Sequence, residues 1–301
     1  MSQLTADLSL LLVTLVWGST FVIVKDAIST MGPLTFVAAR FLVAGATLML
    51  WGIAREVRFS AAPGSSVLRE LRSVTPGGVI AGLALFFSYA TQTLGLMTVS
   101  AGKAAFITGL YVAIVPAASR AVLRSAPDRN SVFGVMLATA GLGLMSLKLP
   151  LDIAPGDVLV FLCAVGFAAH ILLVGRFSGH GDPVFFTAVQ LMVVSAGSWL
   201  CAGLVERPII VPASAWGAIL FTALAGTSLA FLTQSAVQRF TSATHTALIF
   251  SAEPVFGAVF AWILAGERLS AREVAGAACI LAGMLVSEWN ALPSSVTSGG
   301  R

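Results

Sequence analysis

The sequence predicts an all-α membrane protein of ten transmembrane helices, arranged as two inverted five-helix repeats with both termini inside. Three observations lead there. Of 301 residues, 57% are hydrophobic and only 10% are charged, against roughly a quarter charged in soluble domains. The apolar residues fall in runs of about twenty, the length a helix needs to cross roughly 30 Å of hydrocarbon while satisfying its own backbone. The second half also repeats the first at near-constant offsets. Moved back by 142 positions, Ser242-Ala243 falls on Ser100-Ala101, Ile249 on Ile107, Gly276 on Gly134, Ala282-Gly283 on Ala140-Gly141 and Thr233-Gln234 on Thr91-Gln92. Nearer the start of each half the offset is 150, with Val174 on Val24, Pro183 on Pro33 and Phe186 on Phe36.

Taken in order, the expected spans are 6–24, 33–53, 76–98, 101–121 and 131–148, then 156–175, 183–204, 213–236, 243–264 and 270–289. Connections are short except Ala54–Thr75, read as a long basic loop that absorbs the eight-residue change of offset. The last connection is marked by Gly266-Glu267-Arg268-Leu269. It leads into Ser270-Ala271-Arg272-Glu273, a capping box for the free N–H groups of the final helix. Residues 1–150 form the first repeat, 151–292 the second, and 293–301 a disordered tail. Arg55, Arg58, Arg69, Arg72, Arg120, Arg124 and Arg129 fall on one side of the first half, and Lys25, Lys103 and Lys148 on the other. This excess sets the N-terminus inside. The second half leaves its charge bias undecided, with Arg176 and Arg239 inside and Arg207, Arg268 and Arg272 outside. An odd number of spans per half turns the second half upside down relative to the first. Inverted halves are the architecture of secondary transporters, whose site lies near the midplane between them.

The residues themselves resemble a known family. Trp17-Gly18-Ser19-Thr20-Phe21 with Lys25, Pro33 with Arg40-Phe41, Glu253-Pro254-Val255-Phe256 and Gly266-Glu267-Arg268-Leu269 together resemble the EamA-type branch of the drug/metabolite transporter superfamily. The resemblance runs over both halves. It implies a small-molecule carrier of the inner cell membrane, and the chain looks most like the branch that exports aromatic amino acids. In the first half Leu123-Arg124-Ser125-Ala126-Pro127 replaces the Gly-Glu turn, a departure from the family pattern that weakens the case for a role of Glu267 beyond capping.

Glu253 is the costliest residue here, since a carboxylate at mid-span must face a cavity or a partner. It either meets a substrate or is held beside Pro254 at a kink, and its repeat partner is Tyr111. Arg40 lies too deep for a loop charge. It either forks onto a substrate carboxylate or snorkels or pairs with a buried acid. Tyr89 with Gln92 and Ser88, and Thr227 with Phe231, Gln234 and Gln238, make polar-aromatic faces in corresponding spans of the two halves. They line a cavity or serve as interhelical hydrogen bonds. Trp17, Phe87, Tyr89, Tyr111 and Phe231 are the candidate apolar walls. Lys103 and its repeat partner His245 open spans four and nine on opposite sides, as gates or as interfacial residues. Gln190 maps onto Arg40, and His170 reads as a satisfied structural donor. The glycine stripes of spans five and ten suit close helix packing, which places both outside the cavity.

The three cysteines, Cys163, Cys201 and Cys279, sit far apart inside apolar runs and give neither a metal spacing nor a disulfide framework. Met1–Asp7 has no basic residue to begin a cleavable signal. The net charge of +4 is carried in loops, where topology accounts for it without nucleic acid. No cofactor is expected. An intramembrane enzyme is the competing class, but no zinc-protease string or nucleophile elbow occurs. The reading is therefore a carrier, not an enzyme, exporting neutral and aromatic amino acids or, alternatively, drugs or other metabolites. Its partners are the small-molecule substrate and the lipid bilayer. The oligomeric state is not legible, and a monomer is compatible with the sequence.

Overall fold

A computed structural model of the chain describes residues 3–60, 63–123, 127–146, 154–265 and 270–288. The described residues are almost entirely helical, with no strand among them. In order they form α1 (Gln3–Ala27), α2 (Pro33–Phe59), α3 (Pro63–Leu96), α4 (Ala101–Gly109), α5 (Tyr111–Leu123), α6 (Arg129–Ser146), α7 (Pro155–Phe177), α8 (Pro183–Val205), α9 (Trp216–Ala223), α10 (Ala230–Val237), α11 (Ala243–Phe250), α12 (Glu253–Ala265) and α13 (Ala271–Glu288). A π-helical stretch, Leu224–Leu229, joins α9 to α10. Among the described residues seven helical stretches are long and apolar enough to cross a membrane. The chain is an integral, multi-pass membrane protein. The Gly266–Leu269 turn, Arg124–Ala126, Lys148 and the 293–301 tail lie outside the described residues.

Helix starts follow local chemistry. Pro33, Pro155 and Pro183 stand at first positions, where a missing N–H costs nothing. Ser100 and Ser242, equivalent under the 142 offset, accept hydrogen bonds from the N–H groups of Lys103 and His245. The capping box forms as the sequence indicates. Glu273 accepts from the N–H of Ser270 at 2.7 Å, and Ser270 Oγ accepts from the N–H of Glu273 at 3.3 Å. The basic connection is not a loop. Helix α2 continues to Phe59 and α3 begins at Pro63, so Arg55, Arg58, Arg69 and Arg72 are carried on helix extensions. Polar bonds tie these extensions down, with Ser66 Oγ on α3 donating to Glu56 on α2 at 2.5 Å and Arg55 meeting Asp182 at 2.7 Å.

Span four is broken between Gly109 and Tyr111, and span nine between Phe250 and Glu253. These are the same place under the 142 offset. Pro254 is therefore not the site of the second break. It is the second residue of α12, where a proline is tolerated, and the turn comes just before it at Ser251-Ala252.

Helices α2 and α8 pack as an antiparallel pair tied at both ends. At one end Glu206, just beyond α8, accepts from the N–H groups of Leu34 and Thr35 at 2.7 and 2.9 Å, filling the role of a cap that Gly32 lacks. At the other end Arg55 meets Asp182, which caps α8. Helices α6 and α13 also run antiparallel, through glycines. A Cβ on Gly134 would come within 2.5 Å of the Gly283 carbonyl, and one on Gly141 within 2.5 Å of the Gly276 carbonyl. Only glycine allows backbones that close. Gly141→Leu is expected to destabilise the detergent-purified protein by about 1–3 kcal/mol or more, since the added carbons meet backbone rather than a movable side chain. Met136→Leu, on the 64% exposed face of the same helix, is expected to leave the melting temperature unchanged. Thermal unfolding of both variants checks this.

Candidate functional site

Between these pairs lies a partly open cavity. Helix α1 brings Trp17, Thr20, Phe21 and Val24; α2 brings Arg40; α3 brings Tyr89, Gln92 and Leu96. Thr108 and Tyr111 flank the break between α4 and α5, and Phe250 and Glu253 flank the one between α11 and α12. Helices α7 and α10 supply Phe167, His170, Ile171, Phe231 and Gln234. All eight cavity residues singled out from the sequence, Trp17, Arg40, Tyr89, Gln92, Tyr111, Phe231, Gln234 and Glu253, face this one space. Helices α6 and α13 contribute nothing to it, and α8 reaches it only through Gln190 behind His170.

Gly18 is what brings α1 onto α12. A Cβ there would stand 2.8 Å from the N of Gly257 and 3.0 Å from the carbonyl of Glu253, so the two backbones touch. Trp17 and Glu253 are thereby set beside each other in the wall. The Trp17 indole donates to the carbonyl of Gly226 at 2.8 Å and its ring packs on Phe250 and Phe231, with centroids 4.8 and 5.4 Å away. The wall continues through Tyr89, which meets Phe41 at 4.7 Å, Phe167 at 5.3 Å and Phe231 at 6.1 Å.

Arg40 is only 3% exposed, and it neither snorkels nor pairs with an acid. Among the described residues no carboxylate lies within ion-pair reach of it. Its Nε donates to Thr227 Oγ1 at 2.7 Å and one terminal nitrogen to the Gly226 carbonyl at 3.3 Å. The guanidinium carbon sits 5.2 Å from the Tyr89 ring centroid and 5.5 Å from that of Phe41. Ring faces and neutral acceptors hold the cation in place without cancelling its charge. Glu253, on the same cavity, has no hydrogen-bond or ion-pair partner among the described residues. The hydroxyl of Tyr111 and Oε1 of Gln234 are also buried without partners. Gln92 donates to Thr108 Oγ1 at 3.2 Å.

Several expectations change. Phe87 is 43% exposed on the outside of the bundle; two residues before Tyr89 on a helix, it points about 200° away. Ser88 bonds the carbonyl of Ala84 and packs against Gly166, so it leaves the face shared by Tyr89 and Gln92. Gln238 is an interhelical bond, donating to the Ile171 carbonyl while accepting from Gln234. His170 is held by Gln190 at 2.8 Å, as a satisfied donor would be, yet it also lines the cavity. Phe167, Thr108 and Phe250 were missed. Phe167 lies one turn before His170 and Thr108 three residues before Tyr111, so helical spacing from residues already marked would have found both.

Lys103 and His245 are not in the wall. Lys103 Nζ meets Asp157 Oδ2 at 2.6 Å, and His245 Nε2 meets Asp7 Oδ1 at 3.0 Å. Asp7 and Asp157 are themselves equivalent at the 150 offset, a signal present in the sequence. His245 Nδ1 lies 3.4 Å from Ser287 Oγ, which faces Ser131. The order Asp7–His245–Ser287 looks like a hydrolase triad, but none of the three reaches the cavity. Among the described residues no cluster of His, Cys, Asp and Glu has the makings of a metal site.

The pattern of the EamA-like transporter family matches this sequence twice, over residues 4–147 and again over 154–289. The chain belongs to the EamA-like transporter family. The two matches follow one another along the chain without overlap. An uncharacterized transporter of Archaeoglobus fulgidus is 30% identical over 284 residues, covering 94% of this chain and 86% of the relative. The uncharacterized transporter YyaM of Bacillus subtilis is 26% identical, covering 95% and 94%. One solved crystal structure superposes with a TM-score of 0.79 at 20% identity, covering 95% of this chain and 97% of the other, and so shares the fold. The family and these relatives make the protein a membrane transporter.

Proposed function

We propose that this EamA-like protein is a secondary carrier that exports small zwitterionic amino acids, aromatic ones included, across the inner cell membrane by alternating access. The observation that carries the reading is the pair Arg40 and Glu253, a cation and a carboxylate on one cavity with no mutual ion pair. An amino acid brings the complement of both, a carboxylate for the guanidinium fork and an ammonium for Glu253. Burying either of its charges unpaired would be prohibitive. The aromatic walls would accept a range of side chains, because apolar pockets discriminate weakly.

The transport mode rests on the repeat. Ten spans with an inverted second half account for the antiparallel glycine contacts of α6 and α13, since adding 142 to Gly134 and Gly141 gives Gly276 and Gly283. The contact Gly134–Gly283 thus exchanges with Gly276–Gly141. An axis along the membrane normal would have made these helices parallel, whereas an in-plane axis makes them antiparallel. The basic helix extensions between α2 and α3 favour the N-terminus inside.

The test is counterflow in proteoliposomes with a panel of labelled neutral, aromatic, acidic and basic amino acids, alongside cationic drugs. Saturable exchange of several neutral and aromatic amino acids is the expected result. Exchange of cationic drugs alone would replace the amino-acid reading, and flux of no compound under any gradient would end the carrier reading.

A further inference from the structure

The two aspartate contacts stand at opposite ends of the molecule. Lys25, near the C-terminal end of α1, donates to the carbonyls of Leu96 and Val99 at 3.1 and 2.5 Å, so that end of α1 lies beside the start of α4 and Lys103. Asp7 is eighteen residues earlier on the same unbroken helix, about 27 Å away at 1.5 Å per residue. Each contact also joins one half of the chain to the other. Lys103 on α4 of the first half reaches Asp157 on α7 of the second, and His245 on α11 of the second reaches Asp7 on α1 of the first.

The offsets relate the two. Asp7 corresponds to Asp157 and Lys103 to His245, so the repeat carries one contact onto the other. Each is built alike, with the basic residue in the first turn of its helix behind an equivalent serine cap. Each aspartate lies in the opening turns of the first helix of its own half. Asp157 is fixed further by the N–H of Ala154 at 2.8 Å. At the other end the contact is continued through Ser287 and Ser131, whose Oγ donates to Asp128 at 2.6 Å.

We propose that Lys103–Asp157 and His245–Asp7 are two alternately opening latches, one at each end of the cavity, with Asp157 and Asp7 as gating residues. The proposal rests on the carrier reading above. When the halves rock against each other, separation at one end is accompanied by closure at the other, because the glycine seam of α6 and α13 keeps them in contact. A cross-half contact at each end must then break in turn. Both are closed in this structure.

The test needs no substrate. In a chain with Cys163, Cys201 and Cys279 replaced by alanine, Tyr111→Cys supplies one mid-depth reporter on the cavity. Its labelling by a membrane-impermeant maleimide is timed from each side of oriented proteoliposomes. Asp157→Asn is expected to speed labelling from the Lys103 end and slow it from the other by about fivefold or more, and Asp7→Asn to do the reverse. The charge exchange Lys103→Asp with Asp157→Lys is expected to restore the parent rates. Equal changes from both sides, or no change in either variant, would overturn the proposal. So would a charge exchange that fails to restore the rates in protein whose melting temperature matches the parent. The two readings fail separately. Reciprocal labelling without amino-acid counterflow would keep the latches and remove the substrate, and counterflow with unmoved labelling would do the opposite.

Discussion

Arg40→Met is expected to abolish amino-acid counterflow at substrate concentrations that saturate the parent. The guanidinium is the one cationic side chain on the cavity wall among the described residues, and its charge is not matched by any carboxylate nearby. Removing one partner of a buried, hydrogen-bonded charge pair costs about 2–5 kcal/mol, which is about thirtyfold or more in apparent affinity. Arg40→Lys separates charge from geometry. A lysine keeps the charge but loses the planar fork and its stacking on the Tyr89 and Phe41 rings, so it is expected to bind substrate more weakly than arginine while remaining measurable. Circular dichroism and gel filtration of both variants check that the helices and the assembly survive. Parent-like affinity in folded Arg40→Met would remove Arg40 from the site.

Glu253→Gln is expected to lose transport of zwitterions to a similar extent while inserting and folding normally. The internal repeat supplies the control. The break between α4 and α5 stands at the place equivalent to that between α11 and α12, and there the residue is Tyr111. A carboxylate is thus not required to form the break. The amide keeps the shape and removes only the charge, so a purely structural Glu253 predicts full activity. Binding measured in detergent by a thermal shift with aromatic amino acids gives a readout independent of flux. Parent-like binding and parent-like response to a pH gradient would leave Glu253 without a part in recognition.

Much of this was legible because duplication wrote the fold twice. Apolar runs marked the helices, and charge inside an apolar span singled out Arg40 and Glu253, since neither belongs there without a reason. The breaks at Leu110 and at Ser251-Ala252 were not legible as such. Leu110 and Ser251 keep nearly helical backbone angles, and the turn is a shortened hydrogen-bond step rather than a residue type. The helical course of residues 54–59 and 63–75 was hidden because arginines were read as loop markers, whereas on an extension past the membrane they sit comfortably on a helix. Phe87 was misplaced because it was chosen for its ring and not for its angle on α3. The aspartates of the two end contacts went unnoticed because each lies near the start of an apolar run, where a charge is ordinary.

The π-helical stretch Leu224–Leu229 has a consequence for register. A π turn holds about one more residue than an α turn, so everything after it is rotated by about 100° relative to a continuous α-helix. Thr227 and Ser228 bridge that wider turn, their hydroxyls donating to carbonyls five residues back, on Thr222 and Ala223. The loosened turn presents the Gly226 carbonyl to Trp17 and Arg40 together. Phe231 and Gln234 therefore owe their aim to an irregularity upstream. If the same residues wound as a continuous α-helix, the span would stay as apolar as before, yet both side chains would turn out of the wall. Hydropathy alone would not see the difference. The winding of that one turn thus sets which side chains the span turns toward the cavity, with no change in its composition.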